Sequence, residues 1–141
     1  MHHNTAGAAA GTHRIRSPVS GPYNVWMSLS ICLIGSEVAP FSKTGGLADV
    51  SGALTKYLHG AGHDVRVFTP LYSAIDRSAL EPHPVPGLQD VPLEVGAHRY
   101  RYSVLAARVP GTSADVYFID CPTLYARASI YTCLLYTSRC V

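Results

Sequence analysis

The sequence is poor in charge: only 14% of its 141 residues are Asp, Glu, Lys or Arg, and the formal net charge is +2. No block of like charge occurs, which excludes the electrostatic footprint of a nucleic-acid-binding surface. Long apolar runs are missing as well, and nothing approaches the roughly 20 residues that a membrane-spanning helix needs. The four cysteines, Cys32, Cys121, Cys133 and Cys140, form no CxxC pair and no other metal-ligand spacing. Neither a metal site nor a cofactor is therefore expected. No internal repeat is visible, and nothing argues for secretion, so a cytoplasmic protein is expected.

What is present is a moderately apolar chain, 48% hydrophobic, long enough for one domain and one core. Its organising stretch runs from Ser36 to Val50. Before it, the continuous apolar run Leu29–Gly35 reads as a strand buried on both faces, with Cys32 as a buried reduced thiol. After it, Leu47, Val50, Leu54, Tyr57, Leu58 and Ala61 fall on one helical face. Between them lies a lysine-bearing double-glycine loop, Lys43-Thr44-Gly45-Gly46. Glycines let a ligand come close to the backbone, and the first N–H groups of a helix point outward without intrahelical partners. The helix dipole and Lys43 add positive charge, so the loop suits a phosphate or another oxyanion. It is not a Walker A loop, whose lysine follows the glycines beside a Ser or Thr, and it lacks the third glycine of the dinucleotide fingerprint. A lysine in a solvated turn is the plain alternative. Asp49 falls in the first helical turn, where the dipole favours a carboxylate.

Gly60 and Gly62 are stop signals for the helix, and Asp64–Thr69 is the next strand, closed by Pro70. Strand, helix and strand imply parallel pairing, with ligands at the carboxyl ends of the strands. Pro82, Pro84, Pro86, Gly87 and Pro92 rule out a central strand or long helix between 76 and 92. Leu93–Val95 and Tyr100–Val109 read as a hairpin about Gly96, one face of it wet, and Asp115–Asp120 as a strand ended by Pro122. His63 and Asp120 read as structural. Residues 1–27 lack apolar periodicity, carry Arg14 and Arg16 and no acid, and are expected to be a disordered extension. The bias is shared with transit peptides, but no amphipathic stripe accompanies it. The last residues, 133–141, have no cap and no helical stripe, and are expected to be a non-native tail.

The run Ser36-Glu37-Val38-Ala39-Pro40-Phe41 followed by Lys43-Thr44-Gly45-Gly46-Leu47-Ala48-Asp49-Val50 resembles the N-terminal signature of bacterial glycogen synthases and plant starch synthases. The likeness continues through Gly52-Ala53-Leu54, Gly60, Gly62-His63-Asp64-Val65-Arg66-Val67 and Thr69-Pro70. It returns in Tyr117-Phe118-Ile119-Asp120 and Leu124-Tyr125-Ala126-Arg127. Met27 stands where a member of that family would begin.

The resemblance implies an α/β fold with a Rossmann-like parallel sheet, the incomplete N-terminal half of a GT-B glycosyltransferase, over residues 28–132. It implies transfer of glucose from ADP-glucose to the non-reducing end of an α-1,4-glucan with retention, without a metal. Lys43 then matches the donor-binding lysine, and Gly45 and Gly46 the turn whose backbone approaches the donor. Glu37 and Asp49 join them as candidate substrate-binding residues. The catalytic residues are expected beyond this chain, which alone should be inactive. A non-catalytic anion-binding Rossmann-type module is the alternative.

Overall fold

The computed structural model describes residues 28–126 and 130. The expected extension (1–27) and tail (133–141) lie outside the described residues. Strand β1 (Ser30–Ile34) leads through an eleven-residue loop (35–45) to helix α1 (Gly46–Gly60) and strand β2 (Asp64–Pro70). There follow β3 (His83–Pro84), β4 (Val91–Val95), β5 (His98–Arg108), β6 (Asp115–Asp120) and the single turn α2 (Pro122–Tyr125).

The strand order is β1-β2-β6-β5-β3, with β4 attached to β5. β1, β2 and β6 are mutually parallel, as strand–helix–strand connection requires. β5 runs antiparallel to β6, so the sheet is mixed. Ser103 pairs with Asp120, the last residue of β6, while His98–Tyr102 pair with β4. The β4–β5 hairpin therefore projects past the carboxyl ends of the parallel strands.

One face of the sheet holds the core. Val65 and Val67 of β2, Val116 and Phe118 of β6, and Leu71, Tyr72, Ile75 and Val109 pack there, with Ile31, Leu33 and Leu58 partly buried against them. Gly62 closes the helix–strand turn at φ 92°, a conformation open to glycine at little cost. At the end of α1, Ser113 donates its N–H to His59 Nε2 at 3.3 Å and ties the helix to the β5–β6 turn.

Two expectations fail here. The large apolar stripe of α1 does not face the sheet: Leu47, Val50, Leu54 and Tyr57 are all exposed, Tyr57 to 74%. Ala48, Ser51, Gly52 and Thr55 are buried instead. The reason is close approach. Ala39 donates its N–H to the Ala48 carbonyl at 3.0 Å, and a Cβ on Gly52 would stand 2.8 Å from the Ala39 carbonyl oxygen. Only small side chains fit between this helix and the loop. Nor is β1 buried on both faces. Its residues alternate between half-buried and exposed, Cys32 is exposed, and Ile34 is 80% exposed. β1 ends the strand order, and on the face that carries Cys32 and Ile34 both side chains are left exposed.

Candidate functional site

The loop between β1 and α1 lies at the carboxyl end of the parallel strands, where open α/β sheets bind ligands. It is firmly held. Gly35 donates to the Phe68 carbonyl at 3.0 Å, and Phe41 and Ser42 both donate to the Val38 carbonyl, at 2.9 and 3.1 Å. Val38 is fully buried, and the Phe41 ring meets Phe118 edge-on at 5.2 Å. The Ala39–Pro40 peptide is cis.

Glu37 is read from the sequence as a candidate substrate-binding residue. It is fully buried at the foot of the loop, not facing open space. Its carboxylate accepts the N–H of Thr44 at 2.8 Å, the N–H of Gly45 at 3.3 Å and the Thr44 hydroxyl. A buried charge needs such partners, and backbone N–H groups before a helix favour an anion. The signal in the sequence was the spacing itself: an acid eight residues before the N-cap glycine, across a turn that brings the two together.

Lys43 lies exposed at the rim, and its Nζ is 2.8 Å from Asp49 Oδ1. Both side chains are more than half exposed, 55% and 58%, so the pair is screened and worth little, about 0–1 kcal/mol. Gly45 is the N-cap residue of α1 in an extended conformation, without a side-chain cap. A Cβ added at Gly45 or Gly46 would meet nothing within 4 Å, and neither has a positive φ. Nothing inside the described chain requires glycine at these two positions. The structure thus brings together Glu37, Lys43, Gly45, Gly46 and Asp49, but with Glu37 beneath the turn and Asp49 against Lys43.

A second concave region went unnoticed in the sequence. An open groove of about 850 Å³ lies along the projecting hairpin, lined among others by Asp90, Arg99, Tyr100, Arg101, Tyr102 and Asp120. Its charges are paired: Arg101 Nε is 2.5 Å from Asp90 Oδ1, and Arg77 Nη1 is 3.1 Å from Asp120 Oδ2. The hydrogen bond from Arg101 holds the Asp90 carboxyl below the ordinary aspartate range. None of the loop residues lines this groove. Among the described residues no group of three His, Cys, Asp or Glu side chains converges on a point where a metal ion would sit.

A mixed α/β sheet with a lysine–glycine loop at the carboxyl edge of its parallel strands, leading into a helix, defines a Rossmann-like fold. Comparison with known proteins narrows this. The family model of the starch synthase catalytic domain matches residues 30–138. Glycogen synthase 1 of Geobacter sulfurreducens is 44% identical over 103 residues, covering 73% of this chain and 20% of its own. Glycogen synthase of Paramagnetospirillum magneticum is 40% identical over 100 residues, 71% of this chain and 19% of its own. Among solved structures, the catalytic domain of starch synthase IV from Arabidopsis thaliana, bound to ADP and acarbose, superposes with a TM-score of 0.66. It is 26% identical, over 77% of this chain and 22% of that one. The chain belongs to the starch synthase catalytic domain family, a family of GT-B glycosyltransferases. It spans about a fifth of the length of the curated relatives it matches.

Proposed function

We propose that this chain forms part of the donor side of a glucosyltransferase that moves glucose from ADP-glucose to the non-reducing end of an α-1,4-glucan, with retention, in the cytoplasm. The observation that carries the proposal is the Lys43–Gly46 turn: an exposed cation on a firmly held loop, beside two glycines where a Cβ would meet nothing within 4 Å. Departure of a nucleoside diphosphate builds negative charge on its oxygens, and fixed cationic groups aimed there stabilise the transition state. Lys43 is suited to that task once it leaves Asp49, and Gly45 and Gly46 let the donor come near the main chain. In this reading Asp49 is the counter-ion that Lys43 leaves when it meets the donor. Family membership supports the reaction class, and the ADP and acarbose of the Arabidopsis enzyme support a nucleotide-linked donor and a glucan acceptor. In this reading the chain, which spans about a fifth of its curated relatives, transfers no glucose by itself.

The test is a chimera in which residues 28–126 replace the corresponding segment of a full-length relative. A charge-assisted contact to an anion is worth about 1.5–3 kcal/mol. Lys43→Ala should therefore lower donor kcat/KM by at least about tenfold, with Lys43→Arg restoring it only in part. The melting temperature should hardly move, since the lysine is exposed. A mutant that lost stability and kept its donor kinetics would make Lys43 structural and end the assignment. The isolated 141-residue chain, given ADP-glucose and glycogen, should incorporate nothing.

A further inference from the structure

An internal anion already sits where the sequence pattern leads one to expect the donor's phosphate. The Glu37 carboxylate is fully buried, and it takes up the N–H groups of both Thr44 and Gly45 together with the Thr44 hydroxyl. These are the backbone donors immediately before α1, and they flank Lys43 on its carboxyl side. We infer that Glu37 is a positioning residue: it does not touch the donor but fixes the Thr44–Gly45 turn, and through it the point from which Lys43 reaches out.

Three features support this. The carboxylate is out of reach of solvent, and a diphosphate bound against it would meet like charge, which is unfavourable at short range. Its bonds to Thr44 and Gly45 reach seven and eight residues ahead, so they close the loop on itself. The rest of the loop is pinned by backbone bonds at Val38, Ala39, Phe41 and Ser42, which end at Ser42. Thr44 and Gly45 are held by Glu37, and Lys43 lies between the two anchors. A cation placed this way loses little freedom on meeting an anion, which is how preorganisation favours binding.

The inference rests on reading the turn as the donor site, so the experiment separates the two. Backbone amide resonances of the 141-residue chain are followed by heteronuclear NMR, with and without ADP, in the native chain and in Glu37→Gln, Thr44→Val and Thr44→Ser. In Glu37→Gln the charge-assisted bonds become neutral. The Thr44 and Gly45 amides should shift upfield and exchange at least about tenfold faster, while core amides of β2 and β6 keep their protection. Thr44→Val, which keeps the N–H but loses the hydroxyl, should loosen the turn less, and Thr44→Ser should match the native chain. ADP should perturb Lys43 and Gly46 in the native chain and bind several-fold more weakly to Glu37→Gln.

If ADP leaves the native spectrum unchanged but Glu37→Gln still frees the two amides, the anchoring stands and the donor reading falls. If Glu37→Gln abolishes the ADP response while the Thr44 and Gly45 amides stay as they were, Glu37 contacts the nucleotide itself and the positioning role is overturned. Amides and ADP response both unchanged in Glu37→Gln would overturn it as well.

Discussion

Gly52 lies in the middle of α1, where replacing glycine by alanine ordinarily raises stability by about 1 kcal/mol. Here geometry reverses the sign. The new methyl would stand 2.8 Å from the Ala39 carbonyl oxygen and 3.3 Å from the Ala39 Cβ, and a backbone oxygen cannot swing aside like the end of a side chain. Overpacking of this kind costs about 1–3 kcal/mol. Gly52→Ala should therefore lower the melting temperature, by several degrees for a domain of this size. Gly60, the last residue of the same helix, has no atom within 4 Å of a built Cβ and no positive φ. Gly60→Ala should raise stability by about 0.5–1 kcal/mol through the unfolded state. Thermal melts of the two variants check the pair, and two shifts of the same sign would contradict the packing described for α1. At this scale the sequence made the lysine and both glycines of the loop visible. It hid the role of Glu37, because an acid after a strand has many ordinary uses and only the fold shows which N–H groups it meets.

At the scale of elements, the β4–β5 hairpin depends on an exposed clamp. Arg101 donates from Nε and Nη2 to the two carboxylate oxygens of Asp90, at 2.5 and 2.6 Å, and from Nη2 to its carbonyl at 2.7 Å. Asp90 has φ 54°, so the clamp fixes a residue in a left-handed turn. Its hydrogen bond to Arg101 depresses the Asp90 carboxyl in the folded chain. A depressed folded value means that the stabilisation is present above the unfolded aspartate value and fades as pH falls through the folded one. Amide exchange in β4 should accordingly speed up only in acid, below the ordinary aspartate range. Arg101→Gln should return the Asp90 carboxyl toward its usual value in an NMR titration, and a carboxyl that stayed depressed would need another cause. Most elements were legible beforehand: β2 and β6 from their β-branched and aromatic alternation, the helix start from the double glycine, the hairpin from Gly96. The burial of α1 was not. Counting large apolar residues at helical spacing selects Leu47, Val50, Leu54 and Tyr57, whereas a helix that must approach a loop backbone buries its smallest residues, Ala48, Ser51, Gly52 and Thr55.

For the molecule as a whole, the decisive fact is that the sheet is open on one face at β1, where Cys32 and Ile34 are exposed. Parallel strands are ordinarily buried on both faces, and their hydrogen-bonding edges are hidden or blunted. Ile31 and Leu33 of β1 pack into the core, so alternation puts Cys32 and Ile34 on the opposite side. In register beside them, the Phe68 and Tyr117 rings stack with centroids 4.9 Å apart. Among the described residues β1 is also the terminal strand, and it pairs there with β2 alone. The continuous apolar run from Leu29 reads as a strand buried on both faces, whereas in the structure Cys32 and Ile34 are exposed. In the isolated chain an apolar edge of this kind is a template for pairing with another copy. Sedimentation velocity should show association that rises with concentration. Ile34→Lys places a charge at a position already 80% exposed, where substitutions change stability by no more than about 0.5 kcal/mol. It should suppress the association and leave the melting temperature in place, as charged residues do on natural edge strands. Lys at Leu54, on the exposed stripe of α1, serves as the control, because it alters apolar surface without touching the β1 edge. Should Leu54→Lys disperse the assemblies and Ile34→Lys leave them intact, the helix stripe and not the strand edge would be the adhesive surface.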